Sequence, residues 1–69
     1  MSPQEKFGIR LKQYRHKAGY SQEELAYRAD LDRTYIASVE NGRRNVSIQT
    51  ISKFLKALNL SFEEFFRDF

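Results

Sequence analysis

Three Ser-x-x-Glu boxes constrain what this chain can fold into: Ser2 to Glu5, Ser21 to Glu24 and Ser61 to Glu64. In such a box the serine hydroxyl accepts from the backbone N–H three residues on, and the glutamate reaches back to the serine's own N–H. Two donors that every helix start leaves free are satisfied together. Pro3 strengthens the first box, because its fixed φ suits the opening position of a helix and its missing N–H is not needed there. Ser47 and Asp32 are single N-cap residues. The stops are Gly19, Gly42 and Asn59, residue types that enter the left-handed conformation at low cost. This punctuation predicts five helices at about 3–18, 22–29, 33–41, 48–58 and 62–67.

Apolar residues fall on helical spacing inside each span. The first helix carries Phe7, Leu11, Tyr14 and Ala18, and the second Leu25, Ala26 and Ala29. Ile36 and Val39 mark the third. Ile48, Ile51, Phe54, Leu55 and Leu58 form a broad face on the fourth, and Phe62, Phe65, Phe66 and Phe69 crowd the last. No segment alternates apolar and polar residues over the length of a strand. The fold class is therefore all-α, and 69 residues form a single domain, 1–69. With no cysteine to staple it, a chain this short depends on helix packing for its stability.

Charge is unevenly placed. The net charge is +3, yet residues 1–46 carry nine Lys and Arg against six Asp and Glu, whereas after Asn59 Arg67 alone opposes Glu63, Glu64 and Asp68. A basic body favours an anionic partner. The first dozen residues lack the apolar stretch of a signal peptide, and no run is long enough to span a bilayer. A cytoplasmic protein without membrane contact is expected.

The run Tyr20-Ser21-Gln22-Glu23-Glu24-Leu25-Ala26 is followed by Leu31-Asp32-Arg33-Thr34-Tyr35-Ile36 and then Glu40-Asn41-Gly42-Arg43-Arg44-Asn45. In this order the segments resemble the helix-turn-helix of lambda-repressor-like, XRE-type transcriptional regulators. Within that family, Leu31-Asp32-Arg33-Thr34-Tyr35-Ile36 and Arg43-Arg44-Asn45-Val46-Ser47-Ile48 resemble the controller proteins of restriction–modification systems, though prophage and stand-alone regulators share most of these residues. The resemblance implies a compact five-helix DNA-binding domain whose helix-turn-helix is formed by helices two and three. Two positions depart from the family pattern: Asp30 and Asn59 stand where glycine is usual.

With Ile36 and Val39 facing inward, the 100° step per residue turns Thr34, Ala37, Ser38 and Asn41 outward and leaves Arg33 and Tyr35 at the edges. Short polar side chains let a helix backbone approach base edges in the major groove, where all four base pairs are distinguishable. Arg33 can offer its fork to guanine, and Thr34 and Ser38 can bond base edges or touch a thymine methyl. By resemblance these three positions match base-contacting ones, and Tyr35 lies near base or backbone. Phosphate contacts are expected from Gln22 at a helix start, from the basic turn Asn41, Arg43, Arg44 and Asn45, and, by resemblance, from Thr50. Arg44 can also extend toward the minor groove. Family likeness makes Arg15 and Glu40 a structural ion pair.

Phe65 and Phe66 diverge by about 100°, so one short helix cannot bury both. The exposed remainder predicts a homodimer through Leu60, Phe62, Phe65 and Phe66. Such a dimer would present two reading helices about 34–36 Å apart to a roughly palindromic duplex. Catalysis is disfavoured: His16 is the only histidine, Glu23 and Glu24 are helix-start carboxylates pointing apart, as are Glu63 and Glu64, and no phosphate loop or metal-ligand spacing exists. No cofactor and no small-molecule ligand are expected. The rival reading is a protein-interaction module, such as the antitoxin of a toxin–antitoxin pair, built on the same fold.

Overall fold

A computed structural model describes residues 1–69 as five α-helices. They are α1 (Pro3–Lys17), α2 (Gln22–Ala29), α3 (Arg33–Glu40), α4 (Ile48–Leu58) and α5 (Phe62–Phe66). Most expected boundaries hold, and the ends of α1, α3 and α5 fall one residue early. Both atoms of the capping box are in place at Ser2 with Glu5 and at Ser61 with Glu64. The middle box is half formed. Ser21 Oγ accepts from Glu24 N–H at 3.0 Å, but the Glu24 carboxylate accepts from Arg28 Nε at 2.7 Å instead of reaching back. An i,i+4 arginine competes for the same oxygen pair and wins. Asp32 has the extended N-cap backbone without any side-chain cap bond, contrary to expectation.

Asn59 stops α4 as expected, and Asp30, standing where the family has glycine, ends α2 in the same way. Asp30 (φ 57°, ψ 48°) and Asn59 (φ 57°, ψ 47°) both sit in the left-handed region. Each lets the following residue close a turn, with Leu31 N–H on Ala26 O at 2.8 Å and Leu60 N–H on Leu55 O at 2.9 Å.

Every helix contributes to one core: Phe7 and Leu11, then Leu25, Ala26 and Ala29, Ile36 and Val39, Phe54 and Leu55, and finally Phe65. α3 is held between α1 and α2, α2 also packs on α4, and α4 carries α5. Three residues depart from the sequence pattern. Ala18 is exposed and serves as the α1 C-cap, while the inward position at that end belongs to Arg15. Ile48 is 70% exposed, although Ile51 in the same turn packs against the core. Phe65 is fully buried.

Gly8 is the residue that the helical pattern left without a purpose. A Cβ there would collide with the Val39 carbonyl and come within 2.8 Å of the Glu40 carbonyl. Glycine inside a helix costs about 1 kcal/mol relative to alanine, and here it lets α1 lie directly on the last turn of α3. Arg10 has a comparable role at the other end. Its Nη1 donates to Phe65 O at 2.7 Å and to Arg67 O at 3.0 Å, which satisfies carbonyls that five-residue α5 cannot satisfy itself.

Hydrogen bonds from the Ser2 and Ser61 backbones, then from their hydroxyls, hold Glu5 and Glu64 below the ordinary carboxylate value of 4.5. A depressed folded-state value means a contribution that is complete above about 4.5 and is lost as pH falls through the folded-state value. The urea midpoint should therefore decline as pH drops below 4.5, and Glu64→Gln should remove part of that decline. A midpoint equally acid-sensitive in Glu5→Gln, Glu64→Gln and the parent would contradict the assignment.

Candidate nucleic-acid interface

Four elements converge on one buried ion pair. Arg15 from α1 donates from Nε to Glu40 Oε2 at 2.7 Å and from Nη2 to Oε1 at 3.0 Å, a bidentate pair at the end of α3. Arg15 Nη1 also donates to the Tyr20 carbonyl at 2.9 Å, and Gln22 Nε2 from α2 donates to Glu40 Oε1 at 3.1 Å. Both charged side chains are nearly sealed from solvent, and no buried side-chain polar atom is left without a partner. Paired charges with every remaining group satisfied specify a geometry more surely than they add stability. Here the geometry is the pose of α3 relative to α1 and α2.

That pose leaves Arg33, Thr34 and Asn41 exposed, with Tyr35, Ala37 and Ser38 half-buried. Of the strip that helical phase turns outward, Thr34 and Asn41 are open to solvent, whereas Ala37 and Ser38 are partly covered. Gln22 and Arg33 line one surface depression with Ser21, so the start of α2 and the start of α3 open to the same side. Gln22 is nonetheless partly committed: one of its two amide N–H donors is bound to Glu40, which leaves the other N–H and the start of α2 for an anion. Sequence spacing could not show this, because Gln22 and Glu40 meet only through the crossing of α2 and α3.

Beyond α3 the chain turns sharply. Gly42 N–H bonds Val39 O at 2.9 Å and Arg43 N–H bonds Ser38 O at 3.0 Å, with Gly42 at φ 74°. Arg43, Arg44 and Asn45 are exposed on this turn. Arg44 folds back over the strip: its Nε donates to Ser38 Oγ at 3.2 Å, and its guanidinium carbon lies 5.4 Å from the Tyr35 ring centre. Ser38, Tyr35 and Arg44 thus form one cluster that joins the basic turn to the strip. Asn45 accepts a hydrogen bond from Gln4 Nε2. Thr50, half-buried in the first turn of α4, donates its N–H to Ser47 Oγ at 3.1 Å and accepts from that hydroxyl at 3.0 Å.

On α5, Phe62 is 45% exposed and stacks on half-buried Phe66 with ring centres 6.4 Å apart. Leu60 is half-buried and lines a separate depression with Tyr14, Leu58 and Glu64. Phe65, expected at a dimer contact, instead packs among Phe7, Tyr14 and Phe66, with centres 5.2, 5.5 and 4.9 Å away. Phe65 and Phe66 diverge as their spacing requires, and Phe65 is the one that turns inward.

This arrangement, a short outward helix held between α1 and α2 and followed by a basic turn, defines a helix-turn-helix domain. The helix-turn-helix family matches residues 11–65, and the chain belongs to that family. It is 45% identical over 64 residues to Control protein C.MunI from Mycoplasma sp., covering 91% of this chain and 86% of that protein. Among solved structures it is similar to the restriction–modification controller protein C.AhdI from Aeromonas hydrophila, with a TM-score of 0.87 and 46% identity over 91% of this chain and 96% of that one. It is also similar to the controller protein C.Esp1396I, solved as a tetramer with its natural 35 base-pair operator. There the TM-score is 0.90 and the identity 36%, over 99% of this chain and 91% of that one. No helix is long and apolar enough to cross a membrane.

Proposed function

We propose that this protein is a sequence-specific double-stranded DNA-binding transcriptional regulator of the restriction–modification controller type. It acts as a cytoplasmic homodimer and not as an enzyme. The observation that carries the reading is the exposed Arg33 and Thr34 strip on α3, held in place by the buried Arg15–Glu40 pair and bordered by Arg43 and Arg44. Similarity to controller proteins over most of the chain supports the same reading.

In this mechanism α3 enters the major groove. Arg33 meets a guanine edge, and Thr34, Ser38 and Tyr35 address neighbouring bases. Phosphates on either side are met by the start of α2 at Gln22, by Asn41, Arg43, Arg44 and Asn45, and by the start of α4 at Thr50. The exposed Phe62, with Leu60 and Phe66, joins two copies on a near-palindromic operator.

Selection of bound sequences from a random duplex library tests the reading directly, and recovery of no preferred sequence would defeat it. On the selected duplex, Arg33→Ala should cost about 1–3 kcal/mol and relax preference at one base pair per half-site. Arg43→Ala should weaken binding evenly across sequences and lower the salt slope by about one. An Arg33→Ala loss of equal size on random duplex, or an unchanged slope for Arg43→Ala, would reassign that residue.

A further inference from the structure

The turn that carries Arg43, Arg44 and Asn45 is exposed along its length, and its own backbone bonds hold only its first residues, Gly42 and Arg43. Arg44 is held by Ser38 and Tyr35 of α3, and Asn45 is braced by the first turn of α1. Gln4 donates from Nε2 to Asn45 Oδ1, a link between residues far apart in sequence. Gly42 rests on Glu5 so closely that an added Cβ would lie 2.8 Å from Glu5 Cγ and 3.0 Å from Glu5 Cα. Glu5 is itself immobilised, since its carboxylate accepts the Ser2 N–H at 2.8 Å and its own N–H donates to Ser2 Oγ at 3.1 Å. Pro3, Gln4, Arg44 and Asn45 line one open cleft of about 340 Å³ together with Val46 and Phe66.

From this juxtaposition we infer that Gln4 is a positioning residue for DNA binding, orienting Asn45 and through it the Arg43–Asn45 turn without touching the duplex. The inference rests on the DNA-binding reading above. Gln4 suits the task chemically, because a neutral amide can donate to Asn45 without bringing a negative charge near phosphate. The capping box fixes the helix start that Gln4 projects from, so the brace is preformed in the free protein. Preformed geometry spares the turn an ordering cost on binding.

The test is a double-mutant cycle on the full chain with Gln4→Ala, Asn45→Ala and both together, read as affinity for the library-selected duplex. Gln4→Ala should weaken binding roughly three- to tenfold, the range of one modest hydrogen bond. Its thermal midpoint should barely move, because the bond is solvent-exposed. In the Asn45→Ala background the same substitution should have no further effect. Unchanged affinity in Gln4→Ala overturns the inference. An equal loss in both backgrounds also overturns it, by showing that Gln4 meets DNA directly, and so does a loss explained by a smaller folded fraction. Failure of the parent protein to bind any duplex at low salt would instead strike the DNA-binding reading itself.

Discussion

Glu40→Ala should unfold most of the protein at room temperature. Removing one partner of a buried pair leaves the other charge uncompensated, at a cost of about 3–5 kcal/mol. Arg15 would keep only the Tyr20 carbonyl, and Gln22 would lose its acceptor as well. A single core of this size supplies roughly 3–5 kcal/mol in total, so the loss is comparable to all of the stability. Urea denaturation followed by far-ultraviolet circular dichroism measures it. A double replacement, Arg15→Met with Glu40→Leu, should recover much of the loss, because apolar residues of similar volume need no partner. That double variant should fold yet bind the selected duplex less well, since nothing then sets the pose of α3. A wild-type urea midpoint for Glu40→Ala would show that the pair contributes little to holding the helices together.

Phe65→Ala should come next in size, at about 3–5 kcal/mol, the usual cost of emptying a fully buried phenylalanine site. Phe65 is completely enclosed, and its ring touches Phe7, Tyr14 and Phe66. Its truncation would remove the base on which α5 stands. Phe62→Asp makes the contrasting case. Phe62 is 45% exposed, so the monomer should keep its fold while losing self-association, which sedimentation would report as a fall to the monomer mass. Operator affinity should fall with it, because two half-sites would no longer be bound together. Equal destabilisation by the two changes, or an intact dimer in Phe62→Asp, would contradict this division between core and interface.

Much of the architecture was legible because helix ends obey local rules. Ser2, Ser47 and Ser61 cap where their spacing said they would, and Asp30 and Asn59 take the left-handed turns expected of short polar side chains. The outward strip of α3 was legible for a related reason: once Ile36 and Val39 face inward, a fixed angle per residue places Thr34 and Ser38 outward. Where local rules met a competitor, they failed. Glu24 had both a serine N–H and Arg28 within reach, and sequence alone does not rank the two. Phe65 and Phe66 were known to diverge, yet which one enters the core depends on where α1 lies.

Local sequence therefore determined how many helices there are, where they begin and end, and which face of each is apolar, since all of that is settled within a few residues along the chain. Only the tertiary structure decided that Gly8 lets α1 lie on the end of α3, that Gln22 joins the Arg15–Glu40 pair, that Arg10 closes α5 and that Gln4 braces the turn at Asn45. These contacts join residues distant in sequence, and their existence depends on the crossing of packed helices, which no helical period encodes.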